Sequence, residues 1–247
     1  MKLFVDIGNT AAKWASEEEL LAGVVQTTDI GNSDPVGSML TAWERLDQPM
    51  EIYISSVLQR DGNRRIIEWV SDHWRITPCM AESKASELGV TNGYREPSQL
   101  GVDRWLAMLA ARSISKAALV VVDCGSATTL DGVDADGKHL GGVILPGLHL
   151  IPRCLLANTE IPLFDSSEKI NYFATDTATG IHSGAMLATV SSVERMVEML
   201  QKESGDPVEC LLTGGSSHFL AEYLRVDHRL VPNLVLHGLA LIAGKVD

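Results

Sequence analysis

Basic residues are scarce in this chain of 247 residues, which has 20 lysines and arginines against 32 aspartates and glutamates and a formal net charge of −12. The basic residues form no cluster, whereas a protein that binds nucleic acid needs a basic surface to neutralise phosphates. We therefore expect no nucleic-acid partner. An acidic protein that binds an anionic ligand must use local devices instead, such as backbone amides, helix N-termini, one or two cations or a metal ion.

Cysteine and long apolar runs are also sparse. The four cysteines never form a CxxC pair, which argues against a zinc site and a disulfide scaffold and fits a reducing compartment. No apolar stretch approaches the roughly 20 residues of a membrane span. The apolar run before the first aspartate is only Leu3–Val5, which is too short for the core of a signal peptide. We expect a cytoplasmic protein with no membrane partner.

Several common motifs are missing as well. The chain contains no GxSxG, no P-loop GxxxxGK[ST] and no Rossmann GxGxxG, and its seven histidines lack metal-site spacing such as HExxH. The composition, 45% hydrophobic and 21% charged, is that of an ordinary globular protein with one large domain or two of about 120 residues.

Two similar segments stand out, "VDIGNT" from position 5 and "VDCGSATTLD" from position 122. Each follows a short apolar run, Lys2–Val5 or Leu119–Val122, that is typical of a buried strand ending at an aspartate. Further candidate strands and then helices follow in both halves. This repetition predicts two α/β halves with a boundary near Ser113–Lys116, residues 1–114 and 115–247, packed closely with a cleft between them.

The remaining elements are assigned by local pattern. An acidic turn at Glu17–Glu19 is expected before a strand over Leu20–Thr27, and "DADG" predicts a hairpin turn in the second half. Apolar residues spaced three and four positions apart predict helices. The other expected elements are helices over Arg64–Trp74, Thr175–Lys202 and Leu234–Ala243, and strands over Arg75–Cys79, Ala127–Val133, His139–Leu145 and Val208–Leu212.

The two aspartate–glycine turns are candidate phosphate-binding sites. Gly8 and Gly125 let the backbone turn tightly, and exposed amides in such turns bind phosphate oxygens. Asp6 is suited to bind Mg²⁺, because hard cations prefer carboxylate oxygens. The ammonium group of Lys13 could supply a positive charge next to a phosphate group. Taken singly, each segment could be an ordinary hairpin turn. Two such turns together indicate the two halves of a nucleotide-phosphate clamp.

Two further segments carry candidate chemistry. In "GYREPSQLGVDRW" the apolar spacing predicts a helix that begins near Gly101, with Asp103 and Arg104 in its first turn and Tyr94 in the loop before it. Asp103 could simply be a favourable charge at a helix N-terminus. Alternatively it is a base beside an arginine that orients an anionic substrate. "TGGSS" at 213–217 could bind a nucleotide at a helix N-terminus or form a tight turn with a serine cap.

Taken together, "DIGNTAAKW", "YREPSQLGVDRW", "DCGSATTLD", "GGVILPG", "TDTATGIHSG" and "TGGSS" resemble the type III pantothenate kinases, over nearly the whole chain. That family belongs to the acetate and sugar kinase, heat-shock-70 and actin superfamily. The resemblance implies duplicated actin-like (ribonuclease H-like) halves with mixed sheets flanked by helices and an active-site cleft between them. It also implies ATP-dependent phosphorylation of pantothenate to 4′-phosphopantothenate, the first step of coenzyme A synthesis, by a homodimer that needs a divalent cation and K⁺ or NH₄⁺.

Roles follow from the resemblance by matching motif. Asp103 would be the general base, Asp123 would contribute to the monovalent-cation site, and Asp6 would hold Mg²⁺ through water or phosphate. Ser126 occupies a position where the family usually has threonine. Serine keeps the hydroxyl group of threonine and lacks its methyl group. The implied ATP-binding residues are Asp6, Ile7, Gly8, Asn9, Thr10, Ala11, Ala12, Lys13 and Ser126. The implied substrate-binding residues are Tyr94, Gly101, Val102, Asp103, Arg104 and Thr177.

Two alternatives stay open from the sequence. The same fold could phosphorylate another small alcohol, a sugar or a carboxylate, although generic sugar kinases of the superfamily lack the segment from Tyr94 to Arg104. The protein could also be a non-catalytic regulatory or binding protein. Such a protein could lose Asp6 or Asp103, and this chain retains both.

Overall fold

The structure, a computed structural model, describes residues 1–30, 34–159 and 170–244. Their contacts divide the chain into two compact units. Unit 1 comprises Met1–Ser113 and the segment from Asn233 onward, and unit 2 comprises Ile114–Pro232.

Unit 1 is built on one five-stranded mixed sheet in the order β3-β2-β1-β4-β5. Strand β1 pairs antiparallel with β2 and parallel with β4. A separate small hairpin, β6-β7, precedes α4. The strands are β1 (Lys2–Ile7), β2 (Ala11–Ser16), β3 (Gln26–Asp29), β4 (Glu51–Ser56), β5 (Cys79–Met80), β6 (Ser86–Glu87) and β7 (Val90–Thr91). The helices are α1 (Glu17–Leu21), α2 (Pro35–Trp43), α3 (Arg60–His73), a 3₁₀ turn at Pro97–Gln99, α4 (Val102–Ile114) and, from the end of the chain, α8 (Leu234–Ile242).

Unit 2 repeats this sheet. Its order is β10-β9-β8-β11-β12, with β8 antiparallel to β9 and parallel to β11. The strands are β8 (Ala118–Cys124), β9 (Ala127–Val133), β10 (His139–Pro146), β11 (Val208–Thr213) and β12 (His228–Leu230), and the helices are α5 (Leu150–Asn158), α6 (Thr177–Ser204) and α7 (Ser217–Ala221). Two similar halves with mixed sheets flanked by helices confirm the expected α/β fold class.

The division expected from the sequence, residues 1–114 and 115–247, places the C-terminal helix in the second half, and the structure does not. Helix α8 contacts β1 and β4 and belongs to unit 1. The Lys2 ammonium of β1 donates to the carbonyl of Ala243, the C-cap of that helix, at 3.1 Å. A cation at a helix C-terminus is favourable, so this contact ties the two ends of unit 1 together.

Four local predictions need correction. Glu17–Glu19 is the first turn of a helix, not a turn before a strand, because Ser16 and Glu19 form a reciprocal capping box. The strand expected over Leu20–Thr27 begins only at Gln26, as β3, because Leu20 and Leu21 belong to that helix. The strand expected over Arg75–Cys79 is reduced to β5, because Arg75 adopts a left-handed backbone conformation (φ 56°) that a strand cannot contain. Strands β1 and β8 run past their aspartates, which lie inside the strands as their second-to-last residues.

Each unit has its own apolar core. In unit 1, α2 and α3 bury a tryptophan cluster in which Trp43 stacks on Trp74 and meets Trp14 edge-on. In unit 2, α6 covers β8, β9 and β11 with one face, on which Met186, Val193 and Val197 are buried. These cores fix the strands whose ends carry the polar turns.

Candidate functional site

The first turn joins β1 to β2. The Gly8 amide donates to the Ala11 carbonyl at 3.0 Å, and Asn9 and Thr10 are exposed at its tip. Strand pairing places Asp6 opposite Lys13. The turn therefore presents a carboxylate, an ammonium and exposed backbone in one place.

The neighbouring turn residues contribute in different ways. Ile7 and Ala12 are fully buried, so only their backbone can reach a ligand. Asp6 and Lys13 are partly buried and keep access to solvent. Of the predicted ATP-binding residues, the structure thus brings one stretch, 6–13, into a single hairpin.

The Asp6 carboxylate is held from the adjacent parallel strand. Asp6 pairs with Ser55 in the register of β1 and β4. The Ser55 hydroxyl, which is fully buried, donates to Oδ1 of Asp6 at 2.9 Å. Sequence reasoning missed Ser55, because the pairing of β1 with β4 is a tertiary contact.

The second turn joins β8 to β9. The Gly125 amide donates to the Ala127 carbonyl at 3.1 Å, and Gly125 and Ser126 are exposed. Two glycines from other loops close on this turn: a Cβ at Gly147 would lie 2.5 Å from the carbonyl oxygen of Gly125. A Cβ at Gly214 would collide with Oδ1 of Asp123 and the backbone of Cys124. The Gly147 amide also donates to the Ser126 carbonyl at 3.0 Å, so backbone packing fixes this turn.

The third group surrounds the start of α4. The Arg104 amide donates to Oδ1 of Asp103 at 2.8 Å. Arg104 is 6% exposed, and its Nη1 donates to the Tyr94 hydroxyl at 2.8 Å with the guanidinium 5.6 Å from that ring's centroid. A Cβ at Gly101 would lie 2.6 Å from Oδ1 of Asp103, so glycine leaves room for the carboxylate there.

The loop that carries Tyr94 is organised by Asn92. Its amide nitrogen donates to the carbonyls of Lys84 and Pro97 at 3.1 and 3.2 Å, and its Oδ1 accepts from the Tyr94 amide at 3.0 Å. The Ser83 hydroxyl adds a bond to the Leu100 carbonyl at 2.9 Å. Sequence reasoning missed Asn92, although its place before a glycine, in "TNGY", was an available turn signal.

Thr177 lies on another element. It is the exposed first residue of α6 in unit 2, next to the N-cap Asp176, whose Oδ1 accepts from the Thr179 amide at 2.9 Å. That backbone bond lowers the pKa of the Asp176 carboxyl. Val102 is the first residue of α4 in unit 1 and adjoins Asp103.

The carboxylates of the two turns are suited to a cation that is bound jointly by the protein and by phosphate groups. Within the described ranges, no three His, Cys, Asp or Glu side chains are grouped to hold a metal ion by themselves. Mg²⁺ in kinases is bound by one or two carboxylates together with substrate phosphates and water, so Asp6 fits such an ion. Asp123 lies at the matching strand position in unit 2 and offers a carboxylate there.

Comparison with known proteins gives a family. The family model of type III pantothenate kinase matches residues 2–199. The chain belongs to the type III pantothenate kinase family. A type III pantothenate kinase of Dechloromonas aromatica is 36% identical over 250 residues, covering 99% of this chain and all of that one. One of Polaromonas sp. is 34% identical over 253 residues, covering 98% and 97%.

Solved structures agree with this fold. A conserved protein of Campylobacter jejuni assigned to the Baf family of transcriptional activators is similar with a TM-score of 0.62 and 22% identity, covering 98% of this chain and 97% of its own. A protein of Sinorhizobium meliloti assigned as a 2-dehydro-3-deoxygalactonokinase has a TM-score of 0.57 and 13% identity, with 98% of both chains covered. At these identities the similarity concerns the fold alone.

Membership in the type III pantothenate kinase family confirms the resemblance read from the motifs and makes the chain a phosphotransferase. Within residues 1–30, 34–159 and 170–244, no helix has both the length and the hydropathy to cross a membrane.

Proposed function

We propose that this protein transfers the terminal phosphoryl group of ATP to the primary hydroxyl of pantothenate, forming 4′-phosphopantothenate in the first step of coenzyme A biosynthesis. The observation that carries the proposal is the group at the start of α4, in which Asp103 adjoins the buried Arg104 and its partner Tyr94. This group lies in a chain that matches the family over residues 2–199.

Asp103 acts as the general base. Phosphoryl transfer passes through a loose transition state, so the enzyme mainly positions the reactants and stabilises charge. Asp103 aligns the pantothenate hydroxyl and accepts its proton as the bond to phosphorus forms. The Gly101 position and the Arg104 amide hold the carboxylate in place for this step.

Pantothenate is an anion, and the remaining substrate residues fit that charge. Arg104 supplies a guanidinium that the protein has already desolvated, and its bond to Tyr94 fixes its orientation. Gly101, Val102 and Thr177 complete the substrate-binding set.

The two turns bind ATP. Lys13 and the amides of residues 6–13 contact phosphate oxygens, and Ser126 contributes its hydroxyl from the second turn. A divalent cation bound with ATP neutralises charge on the phosphates. Asp6 holds that Mg²⁺ directly or through water, and Asp123 contributes to the site of a monovalent cation, K⁺ or NH₄⁺. We also propose a cytoplasmic homodimer, which size-exclusion chromatography with light scattering would test.

A coupled assay of ADP release tests the proposal. Wild-type protein with ATP, Mg²⁺ and K⁺ is expected to release ADP only when pantothenate is added, and not with a panel of sugars. Asp103→Asn should lower the rate by a factor on the order of 10²–10⁴, the usual contribution of a general base. Asp72→Asn, at an exposed aspartate of α3, is the matched control.

ADP release that does not depend on pantothenate, or that a sugar supports better, would overturn the proposed acceptor. An Asp103→Asn variant as fast as the Asp72→Asn control would overturn the assigned base.

A further inference from the structure

Ser55 carries a hydroxyl group inside the apolar core of unit 1, where few side chains are polar. It lies in β4, its exposed fraction is 0%, and its neighbours Ile52 and Ile54 belong to the core of unit 1. Most buried hydroxyls have an acceptor, because an unpaired buried polar group is destabilising. The acceptor here is Oδ1 of Asp6, at 2.9 Å.

The strand register makes this contact a fixed feature of the sheet. Along the parallel pair of β1 and β4, Asp6 is opposite Ser55, so both side chains project from the same face at the same level. A shift by one residue would bring Ile54 or Ser56 opposite Asp6 instead.

We infer that Ser55 is a positioning residue for the phosphate-bound divalent cation, acting through Asp6. Its hydroxyl occupies one oxygen of the carboxylate and so fixes the orientation in which Asp6 meets Mg²⁺ and the phosphates. Hydrogen bonds to charged acceptors are the stronger kind, and partners that orient a metal-binding group typically contribute 10- to 100-fold in affinity or activity. The inference rests on the proposed role of Asp6 and adds a residue to it.

The second half of the chain has a hydroxyl at the matching position. In the parallel pair of β8 and β11, Asp123 is opposite Thr213, which is 2% exposed. The same combination of an aspartate and a buried hydroxyl residue on the next parallel strand therefore occurs in both sheets. A buried hydroxyl residue at both positions, each directly after a buried apolar residue of its strand, supports a role tied to the aspartates.

The adjacent serine provides a matched control. Ser56 donates to Oδ1 of Asn63 at 2.6 Å and accepts from the Leu58 amide at 3.2 Å. Ser56→Ala thus removes hydrogen bonds of similar kind one residue away from Ser55, and these bonds stabilise the loop after β4 rather than Asp6.

The experiment measures Mn²⁺ binding by electron paramagnetic resonance in the presence of a non-hydrolysable ATP analogue. Ser55→Ala should weaken Mn²⁺ binding about 10-fold and raise the Mg²⁺ concentration for half-maximal activity to a similar degree. Ser56→Ala should leave both unchanged, and thermal unfolding of each variant reports its stability. A purely structural role of Ser55 would lower the unfolding temperature without changing Mn²⁺ affinity, and that result would overturn the inference.

A double-mutant cycle guards against a variant that folds poorly. If Ser55 acts through Asp6, Ser55→Ala should cost much less Mn²⁺ affinity in an Asp6→Asn background than in the wild type. Equal costs in both backgrounds would contradict the inference while the proposed function stands. Wild-type protein that binds no Mn²⁺ with the nucleotide analogue would instead contradict both the proposed nucleotide site and this inference.

Discussion

The two aspartate–glycine turns occupy equivalent positions in the two sheets but are built differently. Along the first hairpin Asp6 is opposite Lys13, whereas along the second Asp123 is opposite Thr129, with one residue fewer between the partners. The first turn therefore carries a cation beside its carboxylate. The second has no charged residue at that place.

The second turn is instead enclosed by backbone. Gly147 and Gly214 approach it so closely that a side chain at either position would collide with it. In the proposed nucleotide-binding role, the first turn would contribute mainly charge and the second mainly a rigid shape. The predictions below test this division.

Among the tests of this comparison, the largest effect is expected at Gly147. In Gly147→Ala the new methyl would meet the carbonyl oxygens of Gly125 and Ser126 at 2.5 and 2.6 Å, so the second turn must move. Overpacking of this kind costs about 1–3 kcal/mol of stability. We expect a loss of kcat/KM for ATP on the order of 100-fold or more, measured by the coupled assay. Gly184→Ala, in open space on α6, is the control, and equal activity of the two variants would contradict the rigid-shape account.

Removing the cation of the first turn should have the next largest effect. Lys13→Met keeps the stem and removes the ammonium, and hydrogen bonds to charged groups contribute about 1.5–3 kcal/mol, or roughly 10- to 100-fold. The loss should appear in KM for ATP and shrink at high salt. Lys202→Met, which breaks only an exposed pair with Glu198, should not alter KM for ATP. Unchanged ATP kinetics in Lys13→Met would mean that this turn works without its charge.

Thr128, in β9 just after the second turn, offers a test of stability next to that turn. Its hydroxyl is buried and has no hydrogen-bond partner among the residues that the structure describes, whereas the equally buried Thr189 donates to the Ala185 carbonyl at 2.9 Å. Thr128→Val should raise the free energy of unfolding by about 1 kcal/mol, because it removes an unsatisfied polar group. Thr189→Val should not stabilise the protein. Denaturant unfolding of both variants measures the difference, and a destabilised Thr128→Val would contradict the assignment.

The smallest expected effect is a difference in labelling. Burial, and next the Asp123 charge, raise the pKa of the Cys124 thiol to about 12. At pH 8 that thiol stays protonated and unreactive, because the thiolate is the nucleophile. Iodoacetamide followed by mass spectrometry should label the exposed Cys79 and Cys154 and spare Cys124. Rapid labelling of Cys124 in native protein would show that the second turn opens readily.

Local sequence patterns predicted much of the secondary structure. The apolar runs before Asp6 and Asp123 and the spacing in α4 predicted the strands and the helix that carry the polar residues, since these signals depend on neighbours in the chain. The capping box from Ser16 to Glu19 is likewise a local sequence signal, and it predicts α1. The roles of the individual site residues stay predictions.

Contacts between distant segments could not be read in the same way. Ser55 reaches Asp6 because β1 pairs with β4, and Gly147 reaches Ser126 because a loop after β10 returns to the β8–β9 turn. Neither pairing leaves a signal in the local sequence around these residues. Even the position of Asp6 inside β1 depends on how far the pairing with β4 extends.

The most direct test of the account is analysis of the reaction product. Wild-type protein incubated with pantothenate, ATP, Mg²⁺ and K⁺ should yield one phosphomonoester, identified by phosphorus nuclear magnetic resonance and mass spectrometry as 4′-phosphopantothenate, in amounts equal to the ADP formed. Unmodified pantothenate after ATP has been consumed, or phosphate on another group of the molecule, would contradict it.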